Sequence, residues 1–137
     1  MNYVTILVML MAHEAFSFPN NPGTTAPEWR EVCQSLTLSN LHGTRGPLSD
    51  PVPYQVSLNR RDYVPDQELI VTLEGIGQST FKGFIIQARA IPSDEIIGTF
   101  TSEEGQQQGR AELYGCQETW DTAAHNSNVT KSRVSFR

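Results

Sequence analysis

Apolar and polar residues alternate along much of this chain with the period of two that an extended strand requires. The clearest case is the run Phe81-Lys82-Gly83-Phe84-Ile85-Ile86-Gln87-Ala88-Arg89-Ala90. Phe84, Ile86 and Ala88 fall on one side, and Ile85, Gln87 and Arg89 on the other. The first side is wholly apolar, which predicts a central strand of an antiparallel sheet with one face on a core. Gln87 and Arg89 read either as a ligand-facing pair or as a solvated strand face. Gly83, after a bulky aromatic, marks a bulge or a close backbone approach.

Other segments repeat the pattern. Tyr54-Gln55-Val56-Ser57-Leu58 predicts a strand with Tyr54, Val56 and Leu58 inward, and Leu69–Leu73 a strand rich in β-branched residues. Ile96–Thr101 is strand-like, and Val134 and Phe136 point inward from a last strand near the C-terminus. Val32–Leu38 is irregular but strand-like, and Ala111–Tyr114 is a short segment before Cys116. Pro65-Asp66, Gly75-Ile76-Gly77 and Pro92–Glu95 punctuate these runs. Residues 18–31 form a Pro- and Gly-rich extended lead-in anchored by Trp29, residues 39–53 a long loop carrying His42, and residues 102–109 a polar loop. No amphipathic helix is expected. Roughly seven short strands separated by turns predict one all-β domain, an immunoglobulin-like antiparallel β-sandwich.

The N-terminus departs from this alternation. Val4–Ala12 is a continuous apolar run of signal-peptide length, too short to span a bilayer, with Ala15 and Ser17 offering cleavage before Phe18. Residues 1–17 are therefore expected to be a signal peptide and residues 18–137 the mature, secreted, extracellular domain, with no transmembrane segment. Secretion gives meaning to the two cysteines. If Cys33 and Cys116 are bonded, no other pairing exists, and the bridge closes a loop of about 84 residues at a chain-entropy gain of about 4 to 5 kcal/mol. Asn128-Val129-Thr130 is an N-glycosylation sequon that suits a secreted surface loop.

Charge and motifs narrow the function classes. The net charge of -5 without a Lys/Arg cluster argues against nucleic acid and against adhesion to anionic membranes. Metalloprotease, nucleophile-elbow and phosphate-loop motifs are missing. After removal of residues 1–17 two histidines remain, His42 and His125, with no third nitrogen or free thiolate to join them in a zinc site, and Asp94-Glu95 and Glu103-Glu104 lack the spacing of a calcium loop. A triad built on His125 finds no support beyond the abundance of Ser and Asp. No catalytic residue, metal or cofactor is expected.

The ordered features resemble the reeler domain, the N-terminal module of reelin, also found in ferric-chelate-reductase-like membrane proteins and in small secreted insect defence proteins. The resemblance runs from Phe18 to the end. It is carried by Cys33 and His42, by Pro53-Tyr54, by Tyr63-Val64-Pro65-Asp66 with Asp66 where the family has Gly, and by Phe81–Arg89, which matches F-x-G-F-L-L-Q-A-R. Gly98-Thr99-Phe100, Cys116, Ala124-His125 and Lys131 follow in order, with Ala124 where the family usually has Thr. The family usually continues past its last strand into a Trp and a Pro-containing segment, so either the domain is clipped at Arg137 or its last strand is unusually short.

The resemblance implies an immunoglobulin-like sandwich and a non-enzymatic extracellular binding module. Single-domain secreted relatives imply an innate-immune defence role, with a microbial glycan, lipopolysaccharide or cell-surface protein as ligand. The alternatives are an ectodomain fragment of a ferric-chelate-reductase-like protein and a reelin-like matrix or signalling module. Trp29, His42, Arg89 and His125 are the candidate ligand-binding residues.

Overall fold

A computed structural model describes residues 3–11, 29–36, 52–62, 64–101 and 111–137 of the chain. Two antiparallel sheets enclose the core. One sheet orders its strands β1 (Tyr3–Met11), β4 (Gly83–Ile91), β6 (Thr122–His125) and β5 (Ala111–Tyr114). The other orders β2 (Tyr54–Leu58), β3 (Val71–Gly75) and β7 (Arg133–Phe136). One short helix, α1 (Trp29–Ser35), completes the described elements.

The main core lies between the sheets. Val71 and Leu73 from β3 and Val134 and Phe136 from β7 meet Phe84 and Ile86 from β4, Ala111 and Ala123, with Phe81 and Phe100 filling the ends. Phe84 stacks edge-to-face with Phe81 at 5.9 Å and tilts against Phe136 at the same distance. Register in the second sheet is pinned where Thr72 and Ser135 face each other across β3 and β7, with hydroxyl oxygens 2.8 Å apart. Gly75 ends β3 where a Cβ would lie 1.8 Å from the carbonyl oxygen of Ser79, so the following turn closes only over glycine.

Several expectations change. Val32–Leu38, expected as strand-like, is helical through Ser35, because Trp29 and Leu36 dock on Ile85 and Ala124, and Cys33 must reach Cys116. That second, smaller core covers the face of β4 expected to be half-solvated: Ile85 and Gln87 are fully buried and Arg89 is 6% exposed. Tyr54 packs on the main core, but Val56 and Leu58 are exposed although they lie opposite the core residues Leu73 and Val71, since β2 is the edge strand of its sheet. Ile96–Thr101 forms a single bridge, Arg89 to Ile96, then leaves β4 through Gly98 (φ 73°) to hydrogen-bond with Trp120 and Arg137. A strand cannot hold both partners without that break.

The apolar run expected as the core of a signal peptide is strand β1 in the full chain, paired antiparallel with β4 from Tyr3 opposite Ile91 to Met11 opposite Gly83. Among the described residues no helix is long and apolar enough to cross a membrane.

Candidate functional site

Arg89 is the hub of a buried polar network beneath α1. Its Nε and Nη2 donate to Gln87 Oε1 at 3.2 and 2.8 Å, and Nη2 also donates to the carbonyls of Cys33 (3.4 Å) and Gln34. Nη1 reaches the carbonyl and the carboxylate of Asp94 at 3.2 and 3.0 Å. Gln87 Nε2 donates to Cys33 O at 2.7 Å and to Thr122 Oγ1 at 3.0 Å. These bonds answer a local need. The helix ends without glycine, with Leu36 at φ 52°, so its last carbonyls need donors from elsewhere. A guanidinium at the negative end of a helix is also electrostatically favourable.

His125 is equally internal. It is 4% exposed, its Nδ1 lies 3.2 Å from both the amide nitrogen and the carbonyl oxygen of Phe84, and its ring tilts against Phe84. It holds the end of the β4–β6 ladder, whose backbone pairing runs only from Ile85 to Gln87. Arg89 and His125 thus spend their polar groups on the fold, and a ligand would have to displace these bonds to reach them. His42 lies outside the described residues.

The surface at the disulfide differs in character. Cys33 and Cys116 are bonded, with Cα atoms 5.9 Å apart, and tie α1 to the turn after β5. Trp29 is half-buried, edge-on to Tyr114 at 5.9 Å, its indole N–H 3.5 Å from Gly115 O. Burial first, and then the Glu112 carboxylate that accepts its hydrogen bond at 3.3 Å, push the Tyr114 phenol well above its ordinary pKa, so it remains a donor. The turn itself is fixed by the buried carboxylate of Asp121, which accepts from the backbone N–H groups of Cys116, Gln117 and Glu118 at 2.7 Å each and from Thr122 Oγ1 at 2.9 Å.

On this rigid turn stands Trp120, 55% exposed and with φ 63°. A bulky residue in left-handed backbone is strained and needs a well-braced surrounding to persist. Trp120 is not among the residues expected at a site, since a lone Trp beside polar residues carries no periodic signal and is ordinarily a core residue. The Asp-Thr pair that follows it was the available hint of a turn.

A fourth group sits just before β4, where Lys131 bridges Phe81. Lys131 is 1% exposed, and its ammonium donates to the carbonyls of Lys82, Ser127 and Val129 at 2.7, 2.9 and 2.7 Å. The loop so gathered presents Asn128, which is exposed. Among the described residues no three His, Cys, Asp or Glu side chains converge as a metal site.

Comparison with known proteins fits this architecture. The chain is 30% identical over 104 residues to a ferric-chelate-reductase-like protein of Danio rerio, an alignment covering 75% of this chain and 17% of that protein. The chain therefore spans a small part of the relative's length. No solved structure matches significantly. The sequence profile of the Reeler domain matches residues 31–137, which takes in α1 from its third residue, the disulfide, the Arg89 network and strands β2 to β7, and by this match the chain belongs to the reeler domain family.

Proposed function

We propose that this chain is a secreted reeler-domain binding module of the innate-defence type, recognising microbial surface glycans without a catalytic step of its own. The observation that carries this reading is the braced, exposed Trp120. An indole offers a flat apolar face to the C–H side of a sugar ring while the hydroxyls of the sugar stay in water. A rigid aromatic anchor also loses little entropy on binding. Trp29, half-buried against Tyr114 with its indole N–H toward Gly115 O, is the second aromatic candidate. Arg89 and His125 act in this reading as positioning residues that hold α1 and β6. The acidic chain favours neutral glycans over phosphate-rich lipopolysaccharide. Asn128 on its exposed loop is proposed to carry the N-linked sugar.

The test is retention of the secreted protein on bacterial cell walls. Trp120→Gly removes the indole and relieves the left-handed backbone, so the variant should fold at least as stably and bind at least ~10-fold more weakly. Unchanged retention of Trp120→Gly would overturn the reading.

A second reading rests on the likeness to the ferric-chelate-reductase-like protein, of which this chain matches 17%. In it the domain is the extracellular front of a larger membrane protein and contributes contacts rather than redox chemistry.

A further inference from the structure

We propose that the outer edge of β4 is an acceptor for an extended, uncharged, aliphatic peptide strand that adds antiparallel to the sheet. The proposal rests on the expectation that residues 1–17 are a leader removed on secretion.

Backbone parity shows which groups the edge offers. Ala88 O accepts from Ile97 N, Ala90 N donates to Glu95 O, and Phe84 presents its amide and carbonyl to His125, all on the side of β4 that faces β6. N–H and C=O groups switch sides at each residue of a strand. The groups of Gly83, Ile85, Gln87, Arg89 and Ile91 therefore point to the opposite edge, where β1 pairs with them in the full chain. Removal of Tyr3–Met11 leaves this whole row without its partner.

The row cannot relax into water by loosening. One face of β4 is fixed to the main core through Phe84 and Ile86, and the other is packed under α1 through Ile85 and Gln87. Nor does the edge carry the devices that keep open edges apart. β4 contains no Pro or Lys, and its one charge, Arg89, is turned inward.

The structure also shows what fits. β1 is a nine-residue run without charge, and Ile6, opposite the small Ala88, packs against the main core. The partner chemistry is thus a strand with a branched aliphatic residue facing Ala88. Strand addition of this kind draws affinity from main-chain bonds and specificity from alternate side chains.

The test uses protein secreted by eukaryotic cells from the full coding sequence, with its N-terminus fixed by mass. It is titrated with a synthetic peptide of the Tyr3–Met11 sequence, flanked by lysines for solubility. Because Thr5, Leu7 and Met9 sit opposite Arg89, Gln87 and Ile85, their amides point into the β4 edge. N-methylation of those three should weaken binding by ~100-fold, whereas methylation of Val4, Ile6 and Val8 should change it less than ~5-fold. Amide exchange at Ile85, Gln87 and Arg89 should be fast before the peptide is added and slow after. Equal effects of the two methylation patterns, or no binding, would overturn the proposal. So would slow exchange before addition, with analytical ultracentrifugation showing whether a second copy already covers the edge. A secreted product still carrying residues 1–17 would refute the leader reading itself, and with it the open edge, whatever the peptide does.

Discussion

The Arg89 network makes a quantitative claim: the guanidinium holds a helix end rather than a ligand. Arg89→Met keeps the aliphatic stem and removes only the head. Cys33 O keeps its bond from Gln87 Nε2, but Gln87 Oε1, on a fully buried side chain, loses the donors Nε and Nη2 of Arg89. The carbonyl of Gln34 loses its Arg89 donor but belongs to an exposed residue that water can reach. One buried acceptor left unsatisfied costs about 1–3 kcal/mol, and loss of charge-assisted bonds at the helix end adds about 1 kcal/mol, so Arg89→Met should cost about 3 kcal/mol. Asp94 is 72% exposed, and Asp94→Asn keeps an acceptor there, so it should cost less than about 0.5 kcal/mol. The double variant Gln87→Leu/Arg89→Met should cost less than the sum of its parts by about 1–2 kcal/mol, since the same bonds are removed twice. Urea denaturation at unchanged m reads these values directly. An Arg89→Met cost as mild as that of Asp94→Asn, or an additive double variant, would refute the guanidinium's role at the helix end.

Further outcomes follow from other sites. Asp66 stands at φ 64° where the reeler pattern has glycine, so Asp66→Gly should raise the denaturation midpoint by about 0.5–1 kcal/mol in stability, and a loss would contradict the assignment of strain. Lys131→Met, measured the same way, should cost about 1.5 kcal/mol by removing charge-assisted bonds to three carbonyls, of which those of exposed Lys82 and Val129 can turn to water, and a loss below about 0.5 kcal/mol would show that the ammonium is not needed there. The raised Tyr114 phenol binds its proton more tightly folded than unfolded, so its contribution is complete below pH 10.0, the ordinary value, and is lost as pH rises beyond it toward the folded value. A pH series of melting curves should show that alkaline loss flattened in Tyr114→Phe, and identical slopes would contradict it. Replacing both Cys33 and Cys116 by Ala should cost up to about 4.5 kcal/mol in the chain-entropy picture, again by denaturation.

The sequence made the sandwich legible because its strands carry the signal that sheets need. Phe84, Ile86, Val71, Leu73, Val134 and Phe136 alternate into one core. The disulfide was legible too, since two cysteines allow one pairing. What hid was set by tertiary contact. Trp29–Ser35 has too few residues to show a helical period, and its helix exists because Trp29, Leu36 and Cys33 are held on β4 and at Cys116. Gln87 and Arg89 looked solvated for the same reason, since nothing local announces that a helix will cover them. Val56 and Leu58 erred in the other direction: alternation marks a face but cannot say that the strand lies at a sheet edge, where that face is left exposed. Of the candidate site, the positions of Arg89 and His125 were read but not their burial, and Trp120 carried no pattern to read.

The most direct test of the account is the intact mass of the native protein after deglycosylation, taken with its fractionation between extracellular fluid and membranes. A secreted binding module is recovered from the fluid at the mass of residues 18–137 less two hydrogens, and those two hydrogens return on reduction of Cys33–Cys116. Recovery only from membranes, or a much larger mass, would contradict the secreted binding module and make this domain the front of a longer protein.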